Sequence, residues 1–333
     1  MTLAELRYLV AVADLRHFSR AAARCHVSQP TLSGQLRKLE ETLGVPLVER
    51  TTRFVMLTPL GERIVAHARR VLEEVDQIAE LARHRNGALT SVLRLGIIPT
   101  LGPYILPRFL KRLHQKFPEL RLILREDLTD NLLTALEAHS LDVILIALPE
   151  QDAGPTMPLF IEPFWFVCAA EHRFSNQVAV TERELAQERL LLLDEGHCLR
   201  DQALAVCGEQ SRDQQAPSDD FRATSLETIC EMVAAGLGCT LLPAMAVPHL
   251  TARDNRLEVR PLRAARAHRR IGLLWRASFP RGEDLMVLGR FIQDQLPDCV
   301  EPIRPRPEPT PRTRGARVLS HAGSRHPIEI RKA

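Results

Sequence analysis

The run GHCLRDQA places a cysteine, Cys198, among side chains that could raise its reactivity. Only the thiolate form of cysteine is a nucleophile, and a free thiol with a pKa of about 8.5 is mostly protonated at neutral pH. Arg200 and the N-terminus of a helix beginning near His197 would both favour the anion. These neighbours predict an oxidisable thiol at Cys198. The alternative is that Cys198 is only a small buried hydrophobe, which is the commoner state of a cysteine on a helix.

Cysteine usage and the N-terminal sequence indicate the class of protein. The chain has 7 cysteines in 333 residues, none of them in a CxxC pair, and no cysteine–histidine cluster has the spacing of zinc ligands. We therefore expect mostly reduced thiols, no metal and no cofactor. Arg7, Asp14 and Arg16 interrupt the first apolar run, which argues against a signal peptide, and no run reaches the roughly 18 apolar residues of a membrane span. These features predict a cytoplasmic protein.

Charge is unevenly distributed along the chain. Residues 1–90 carry 13 basic and 10 acidic side chains, residues 91–300 carry 23 and 28, and residues 301–333 carry 8 and 3. A slightly basic N-terminal part joined to an acidic body fits a nucleic-acid-binding module attached to another domain. The excess is too small to identify such a module without a motif.

Hydrophobic periodicity divides the chain into four segments. Residues 1–58 are predicted to form three short helices and a hairpin, and residues 59–90 one long helix whose apolar seam favours pairing with a second copy. Residues 91–300 alternate short apolar runs, such as LDVILIAL and RLLLLDE, with helical segments. This pattern predicts a two-lobed α/β domain with buried, mostly parallel strands. Residues 301–333 are rich in Pro and Arg, and we expect a disordered tail there.

Residues 19–43 have the spacing of a helix-turn-helix. The first helix is predicted to start with Ser19 as its N-cap, and a tight link follows at 25–27. The second helix is predicted to begin at Ser28 and to be closed by Gly44. Such a pair of helices is the unit that many DNA-binding proteins insert into the major groove.

The second helix of this pair carries the side chains that could read DNA. Its leucines, Leu32, Leu36 and Leu39, must face inward, so short polar side chains and an arginine face outward. Arginines in the hairpin would contact the flanking phosphates. A small helical domain with a solvated polar face is the alternative. The candidate DNA-binding residues are Ser28, Gln29, Pro30, Thr31, Ser33, Arg37, Arg50 and Arg53.

A longer segment carries a family resemblance. Residues 18–50, FSRAAARCHVSQPTLSGQLRKLEETLGVPLVER, resemble the signature of the LysR-type transcriptional regulators. The resemblance implies a winged helix-turn-helix, a dimerising linker helix and a two-lobed effector domain like that of periplasmic binding proteins. It also implies double-stranded promoter DNA, RNA polymerase and further copies of the chain, as a dimer of dimers, for partners.

Four further segments resemble the peroxide-sensing members of that family, namely IIPTLGPYILP, LLLDEGHCLRDQALAVC, FRATSLETI and AAGLGCTLLPA. This resemblance implies that hydrogen peroxide oxidises Cys198 to a sulfenic acid and that Cys207 then condenses with it to form a disulfide. Altered promoter contacts would switch oxidative-stress genes, and a cellular thiol reductant would reset the chain. The residues expected around the thiol are Thr100, Thr129, His197, Arg200, Asp201 and Arg269.

Helix geometry would turn such a disulfide into a conformational switch. If 197–207 is a single helix, the Cα atoms of Cys198 and Cys207 are separated by roughly 13 Å of rise and lie on opposite faces. A disulfide needs Cα atoms within about 7 Å. Bond formation must therefore unwind the segment. The other cysteines are expected to be structural: Cys25, Cys168, Cys230, Cys239 and Cys299.

Three other functions are open to a chain with these features. A regulator of the same family could bind a small-molecule co-inducer in the cleft between the lobes, with Cys198 incidental. A thiol peroxidase carrying a DNA module is less favoured, because nothing besides the cysteine pair suggests a turnover cycle. A periplasmic-type binding protein is disfavoured by the helix-turn-helix. We therefore predict a regulator and not an enzyme.

Overall fold

The computed structural model describes residues 1–50, 55–83, 89–149, 154–207, 223–251 and 255–304. Within these ranges, no helix is long and apolar enough to cross a membrane. The buried apolar residues form two separate cores. The smaller core belongs to an N-terminal head, and the larger core belongs to an α/β domain.

The N-terminal head consists of three helices and a hairpin. These are α1 (Leu3–Leu15), α2 (Phe18–Arg24), α3 (Gln29–Leu43), β1 (Val48–Arg50) and β2 (Val55–Leu57). The two strands are antiparallel. The predicted helix-turn-helix and hairpin are therefore confirmed.

Local capping residues set the ends of the head helices. The Ser28 side chain accepts a hydrogen bond from the Thr31 backbone N–H at 3.2 Å, and Gly44 closes α3 with a φ of 72°, both as predicted. The predicted N-cap at Ser19 is wrong. His17 has the extended backbone of an N-cap and accepts from the Arg20 N–H at 3.5 Å, so Ser19 already lies in the first turn of α2.

One long helix, α4 (Pro59–Arg83), follows the hairpin and confirms the predicted linker helix. Two large apolar side chains of its predicted seam are exposed in the single chain, with Val71 43% and Ile78 68% accessible. Apolar surface of this kind on a long helix favours a helical partner. Pairing with a second copy stays a prediction.

The start of α4 packs so closely on the hairpin that Gly61 has no room for a side chain. A Cβ at Gly61 would lie 2.1 Å from the carbonyl oxygen of Leu47. We expect Gly61→Ala to lower the free energy of unfolding by roughly 1–3 kcal/mol, because a backbone carbonyl yields less easily than a side chain. Urea unfolding of the full chain measures this.

A matched substitution controls for the change from glycine to alanine in a helix. Gly34 in α3 has no atom within 4 Å of the position of its Cβ. Gly34→Ala is expected to be neutral or stabilising by about 0.5–1 kcal/mol, because alanine restricts the unfolded chain. A Gly61→Ala protein as stable as the wild type would contradict the close approach.

The α/β domain is built on one sheet flanked by helices. Nine strands form it in the order β4-β3-β5-β10-β6-β9-β7, with β8 and β11 also paired to β6. Its elements are β3 (Val92–Ile97), α5 (Gly102–Lys116), β4 (Arg121–Glu126), α6 (Thr129–Glu137), β5 (Val143–Ala147), β6 (Thr156–Ala169), β7 (Val180–Thr181), α7 (Glu182–Leu185), α8 (Cys198–Cys207), α9 (Leu226–Ala234), β8 (Thr240–Pro243), α10 (Val247–Thr251), β9 (Leu257–Arg263), β10 (His268–Trp275), α11 (Gly282–Gln293) and β11 (Glu301–Pro302).

The strand directions correct the prediction of a mostly parallel sheet. β3 runs parallel to β4 and β5, but β10 is antiparallel to β5 and β6, and β6 is antiparallel to β8, β9 and β11. β6 has 14 residues and pairs with β10 and β11 along its first part and with β8 and β9 along its last. Apolar runs predict buried strands without indicating their direction, so the sequence pattern could not distinguish the two arrangements.

Two boundaries also differ from the sequence prediction. The run RLLLLDE forms no strand but two isolated bridges, because Leu190 pairs with Cys239 while Leu193 pairs with Ala223. The predicted disordered tail begins too early, since residues 301–302 pair with β6. Residues 305–333 lie outside the described residues, as do 84–88 at the predicted end of the linker.

Candidate functional site

A small recess surrounds Cys198 in the α/β domain. Cys198 is the first residue of α8, is half-buried and packs against the large core. The recess has about 160 Å³ of empty space when the adjoining solvent is included and no room for a water-sized sphere, so it is not a cavity of the roughly 300 Å³ that a typical metabolite pocket has. Three chain segments meet there, and its lining residues are Ile98, Pro99, Thr100, Leu128, Thr129, Gly196, His197 and Cys198.

The segment before α8 takes its shape from a glycine. Gly196 has a φ of +90°, a conformation that other residues rarely adopt, and a Cβ there would lie 3.0 Å from Leu128 Cδ1. The turn brings the thiol of Cys198 to the helix N-terminus, where unpaired backbone N–H groups and the helix dipole stabilise an anion. The predicted helix start near His197 is therefore confirmed.

His197 lines the same recess as Cys198. Its side chain is buried, and burial lowers the pKa of the imidazole below its ordinary value, an effect that Asp194 partly opposes. A neutral imidazole has one nitrogen that donates a hydrogen bond and one that accepts. His197 could therefore donate a hydrogen bond into the recess near neutral pH.

The two predicted threonines both line the recess, and one of them lacks a partner. Thr129 is the first residue of α6, and its Oγ1 is buried without a hydrogen bond within the described residues. A buried polar atom normally has a partner, and leaving it unpaired costs about 1–3 kcal/mol. The hydroxyl of Thr129 is thus available for a small polar ligand.

Thr100 is held from behind by Arg269. The guanidinium donates to Thr100 Oγ1 at 2.8 Å from Nη1 and to the Thr100 carbonyl at 3.0 Å from Nη2. Arg269 is itself paired with Glu162, and the side chains of both are 0% exposed. Arg269 therefore supports the recess from outside, since it is not one of the lining residues.

Arg200 and Asp201 are not brought to the recess. Arg200 donates from Nη1 to the carbonyl of Leu193 at 3.0 Å, and the Asp201 side chain is exposed. Residues two apart on a helix do not share a face, which is why Arg200 turns away from Cys198. Arg200 instead fixes the segment that leads into α8.

Cys207 is the last residue of α8, and its side chain lies outside the described residues. The helix runs without a break from Cys198 to Cys207, as predicted. Its nine steps separate the two Cα atoms by roughly 13 Å along the axis. A disulfide between them requires α8 to unwind.

Glu162 is a buried residue behind the recess that the sequence motifs do not indicate. Its carboxylate binds Arg269 and also accepts a hydrogen bond from the Met245 backbone N–H at 2.9 Å. An acidic residue inside the apolar run LFIEPFWF was the available signal, because a buried charge requires a partner. The identity of that partner was not readable from the sequence.

The recognition helix α3 presents the predicted polar face. Gln29, Pro30, Thr31 and Arg37 are exposed, while the leucines on the other side of the helix are fully buried. Ser28 is the exposed N-cap and Ser33 is half-buried. The Arg50 side chain and residues 51–54, which include Arg53, lie outside the described residues.

A carboxylate joins the recognition helix to the hairpin. Glu40 Oε1 accepts hydrogen bonds from the backbone N–H groups of Leu47 at 2.8 Å and Val48 at 3.1 Å. These bonds fix the strand β1 relative to α3. The helix and the first strand of the hairpin are therefore held together, as the winged helix-turn-helix requires.

Comparison with known proteins assigns both parts of the chain. Residues 3–62 match the model of the bacterial regulatory helix-turn-helix protein, lysR family, and residues 86–297 match the LysR substrate binding domain. The DNA-binding transcriptional dual regulator OxyR of Escherichia coli K12 is 47% identical over 281 residues, covering 84% of this chain and 91% of that protein.

Solved structures of OxyR proteins support the same assignment. A full-length OxyR variant from Pseudomonas aeruginosa is 42% identical with a TM-score of 0.77, covering 92% of this chain and 99% of that one. An H2O2-bound OxyR variant from Corynebacterium glutamicum is 38% identical with a TM-score of 0.59, covering 88% of this chain and 94% of that one. The chain therefore belongs to the LysR family of DNA-binding transcriptional regulators and, within it, to the OxyR group.

Proposed function

We propose that this chain senses hydrogen peroxide through Cys198 and converts the oxidation into altered contact with promoter DNA of oxidative-stress genes. The observation that carries the proposal is the convergence of Thr100, Thr129 and His197 on a thiol at a helix N-terminus. The recess has no room for a water-sized sphere in this conformation, so its walls must part to admit a ligand. A molecule as small as peroxide requires less of this movement than a metabolite co-inducer, which favours peroxide at this place. The names of the relatives, among them a hydrogen peroxide-inducible genes activator of Dickeya chrysanthemi, support the same ligand.

The chemistry begins with a nucleophilic attack. The Cys198 thiolate attacks one oxygen of peroxide, an S–O bond forms and the O–O bond breaks, so that sulfur loses two electrons. The leaving hydroxide takes up from the solvent the proton that the thiol released on ionising, and departs as water. The hydroxyls of Thr100 and Thr129 would hold the peroxide, and the neutral His197 would donate to the leaving oxygen as its charge develops.

A disulfide would then complete the switch. The Cys207 sulfur attacks the sulfenic sulfur, the S–S bond forms, and the hydroxyl leaves as water with the thiol proton. Since α8 must unwind, its buried face must leave the core, and Leu199, Ala203 and Val206 are each at most 3% exposed. Exposing one leucine or valine costs about 1.5–3 kcal/mol, so the oxidised chain must repack. This repacking would change the domain around the recess.

The remaining roles follow from the same proposal. Double-stranded operator DNA would bind α3 and the wing, and the exposed apolar seam of α4 would pair with another copy, in a dimer of dimers. RNA polymerase would be the effector partner, and a cytoplasmic thiol reductant would reset Cys198. The chain would act once per oxidation and not as a peroxidase.

Mapping of the disulfide tests the proposal. The purified full chain is treated with a small excess of hydrogen peroxide, free thiols are blocked, and trypsin is added without reductant. Cleavage after Arg189, Arg200 and Arg212 leaves Cys198 on LLLLDEGHCLR and Cys207 on DQALAVCGEQSR. We expect the two peptides to be joined only after peroxide, and a Cys198→Ser protein to show no joined peptide.

The other outcomes are equally informative. Oxidation of Cys198 without a joined peptide would make the chain a one-cysteine sensor. If both thiols stay free, the peroxide proposal fails, and a regulator that responds to a small-molecule co-inducer is what is left.

A further inference from the structure

We infer that Glu162 is a positioning residue for the peroxide site, because it aims Arg269 at Thr100 and so directs the Thr100 hydroxyl into the recess. This inference rests on the proposed function. Glu162 and Arg269 lie far apart in sequence but are direct partners across β6 and β10. Neither of them lines the recess.

The guanidinium of Arg269 is fixed on two sides. Its Nε donates to Glu162 Oε2 at 2.9 Å, and its Nη2 lies 2.8 Å from the same oxygen in the ion pair. Nη1 and Nη2 reach Thr100 on the other side. A guanidinium is planar and its donors have fixed directions, so holding one edge orients the other.

The orientation determines what the Thr100 hydroxyl can do. A hydroxyl has one hydrogen to donate and two acceptor positions, and Arg269 Nη1 occupies one acceptor position at 2.8 Å. Arg269 can only donate, so the hydroxyl hydrogen of Thr100 is not used in this contact. Among the described residues it has no acceptor, so it can point at an oxygen of bound peroxide, and the positive charge behind it strengthens the donor.

The carboxylate of Glu162 is itself held by the segment that follows β8. Its second oxygen, Oε1, accepts from the backbone N–H of Met245, which follows β8. Both oxygens are therefore occupied, and the carboxylate cannot rotate without losing a buried hydrogen bond. A chain of contacts runs from Met245 through Glu162 and Arg269 to Thr100.

Stability alone is a poor reason for this ion pair. A fully buried pair pays a large desolvation cost, and well-packed apolar residues of similar volume are often as stabilising or more so. Here Arg269 donates to Thr100, which lines the recess, so the pair can set the orientation of a side chain in the site. Positioning of Thr100 therefore explains why this buried site holds an ion pair, which packing alone does not explain.

The test compares two reactions of the same thiol. In the full-length protein, Glu162→Gln replaces one carboxylate oxygen by an amide NH₂, which cannot accept from Arg269 while the other oxygen accepts from Met245. We expect the second-order rate of Cys198 oxidation by hydrogen peroxide, measured by quenching and mass analysis, to fall at least about tenfold, since a misaligned donor is lost at the reacting atoms. Alkylation of Cys198 by iodoacetamide should change by less than about twofold, because it requires no peroxide donors.

A double-mutant cycle separates positioning from a general structural effect. If Glu162 acts through Thr100, Glu162→Gln adds little further loss in a Thr100→Val background. Glu258→Gln is the matched control, because Glu258 is a partly exposed partner of Arg260 at 2.8 Å on β9, and it should leave both rates unchanged.

A second variant keeps the test possible even if Glu162→Gln does not fold. If Glu162→Gln does not fold, the paired change Glu162→Leu with Arg269→Met removes both charges without leaving one unpaired. It should fold and react slowly with peroxide. The inference would be overturned if either variant reacted with peroxide at the wild-type rate. It would also be overturned if the rates with peroxide and iodoacetamide fell equally, or if the rate losses of Glu162→Gln and Thr100→Val were additive. Failure of the wild-type Cys198 to react with peroxide would instead overturn the proposed function.

Discussion

Replacing Thr129 by valine should slow the oxidation of Cys198 by peroxide roughly a hundredfold and at the same time stabilise the reduced protein. The hydroxyl oxygen of Thr129 is buried without a partner in the described part of the chain and lines the recess. Valine has nearly the same shape and no polar atom. Removing an unsatisfied buried hydroxyl should raise the free energy of unfolding by about 1 kcal/mol.

Two measurements on the Thr129→Val protein check that the oxidation rate falls while the free energy of unfolding rises. The rate is followed by trapping the sulfenic acid of Cys198 after mixing with peroxide, and the stability by urea unfolding of the reduced chain. Thr134→Val is the control, because Thr134 lies on the same helix, α6, with an exposed side chain. It should leave the rate within about twofold and the stability within about 0.5 kcal/mol. A Thr129→Val protein that reacts at the wild-type rate would show that this hydroxyl does not hold peroxide.

The second large effect is expected at the contact between the linker helix and the α/β domain. Arg276 donates from Nη2 to Glu73 of α4 at 2.6 Å and from Nη1 to the carbonyl of Leu136 at 2.7 Å, with a further bond to the carbonyl of Leu141. His139 binds the other oxygen of Glu73. The Arg276 side chain is only 10% exposed, so its donors are largely shielded from water.

Arg276→Ala should therefore lower the free energy of unfolding by about 3 kcal/mol. The loss has two parts: two carbonyls lose their donor, and Glu73 loses its arginine. Arg256→Ala is the matched control, since Arg256 pairs with Glu231 at 3.0 Å with both side chains more than half exposed. Exposed pairs contribute less than about 1 kcal/mol. Equal losses in the two variants would mean that the contact of Arg276 with Glu73 is not formed in solution.

Local features of the fold were predictable wherever neighbouring residues decide them. Ser28 and Gly44 ended α3 as predicted, because a cap is a bond between residues three or four apart. The unbroken helix α8 was also predictable from its local sequence. The N-cap of α2 was predicted two residues too late, because both His17 and Ser19 can cap a helix. The cap in the structure is His17 and not Ser19.

The candidate site was predictable in part. The family resemblance indicated Thr100 and Thr129, and both line the recess. Arg200 was predicted to face the thiol from its proximity in sequence, yet the helical rotation turns it to the Leu193 carbonyl. Nearness in sequence and nearness in space diverge within two residues of a helix.

The sequence by itself determined the recognition helix, the linker helix and the position of Cys198 at a helix start, because each depends on periodicity and on contacts within one turn. Only the tertiary structure decided the direction of the strands and the partner of Glu162. Apolar runs bury equally well in parallel and antiparallel sheets. The pairing of Glu162 with Arg269 joins residues that lie 107 positions apart, so it exists only once β6 and β10 are aligned.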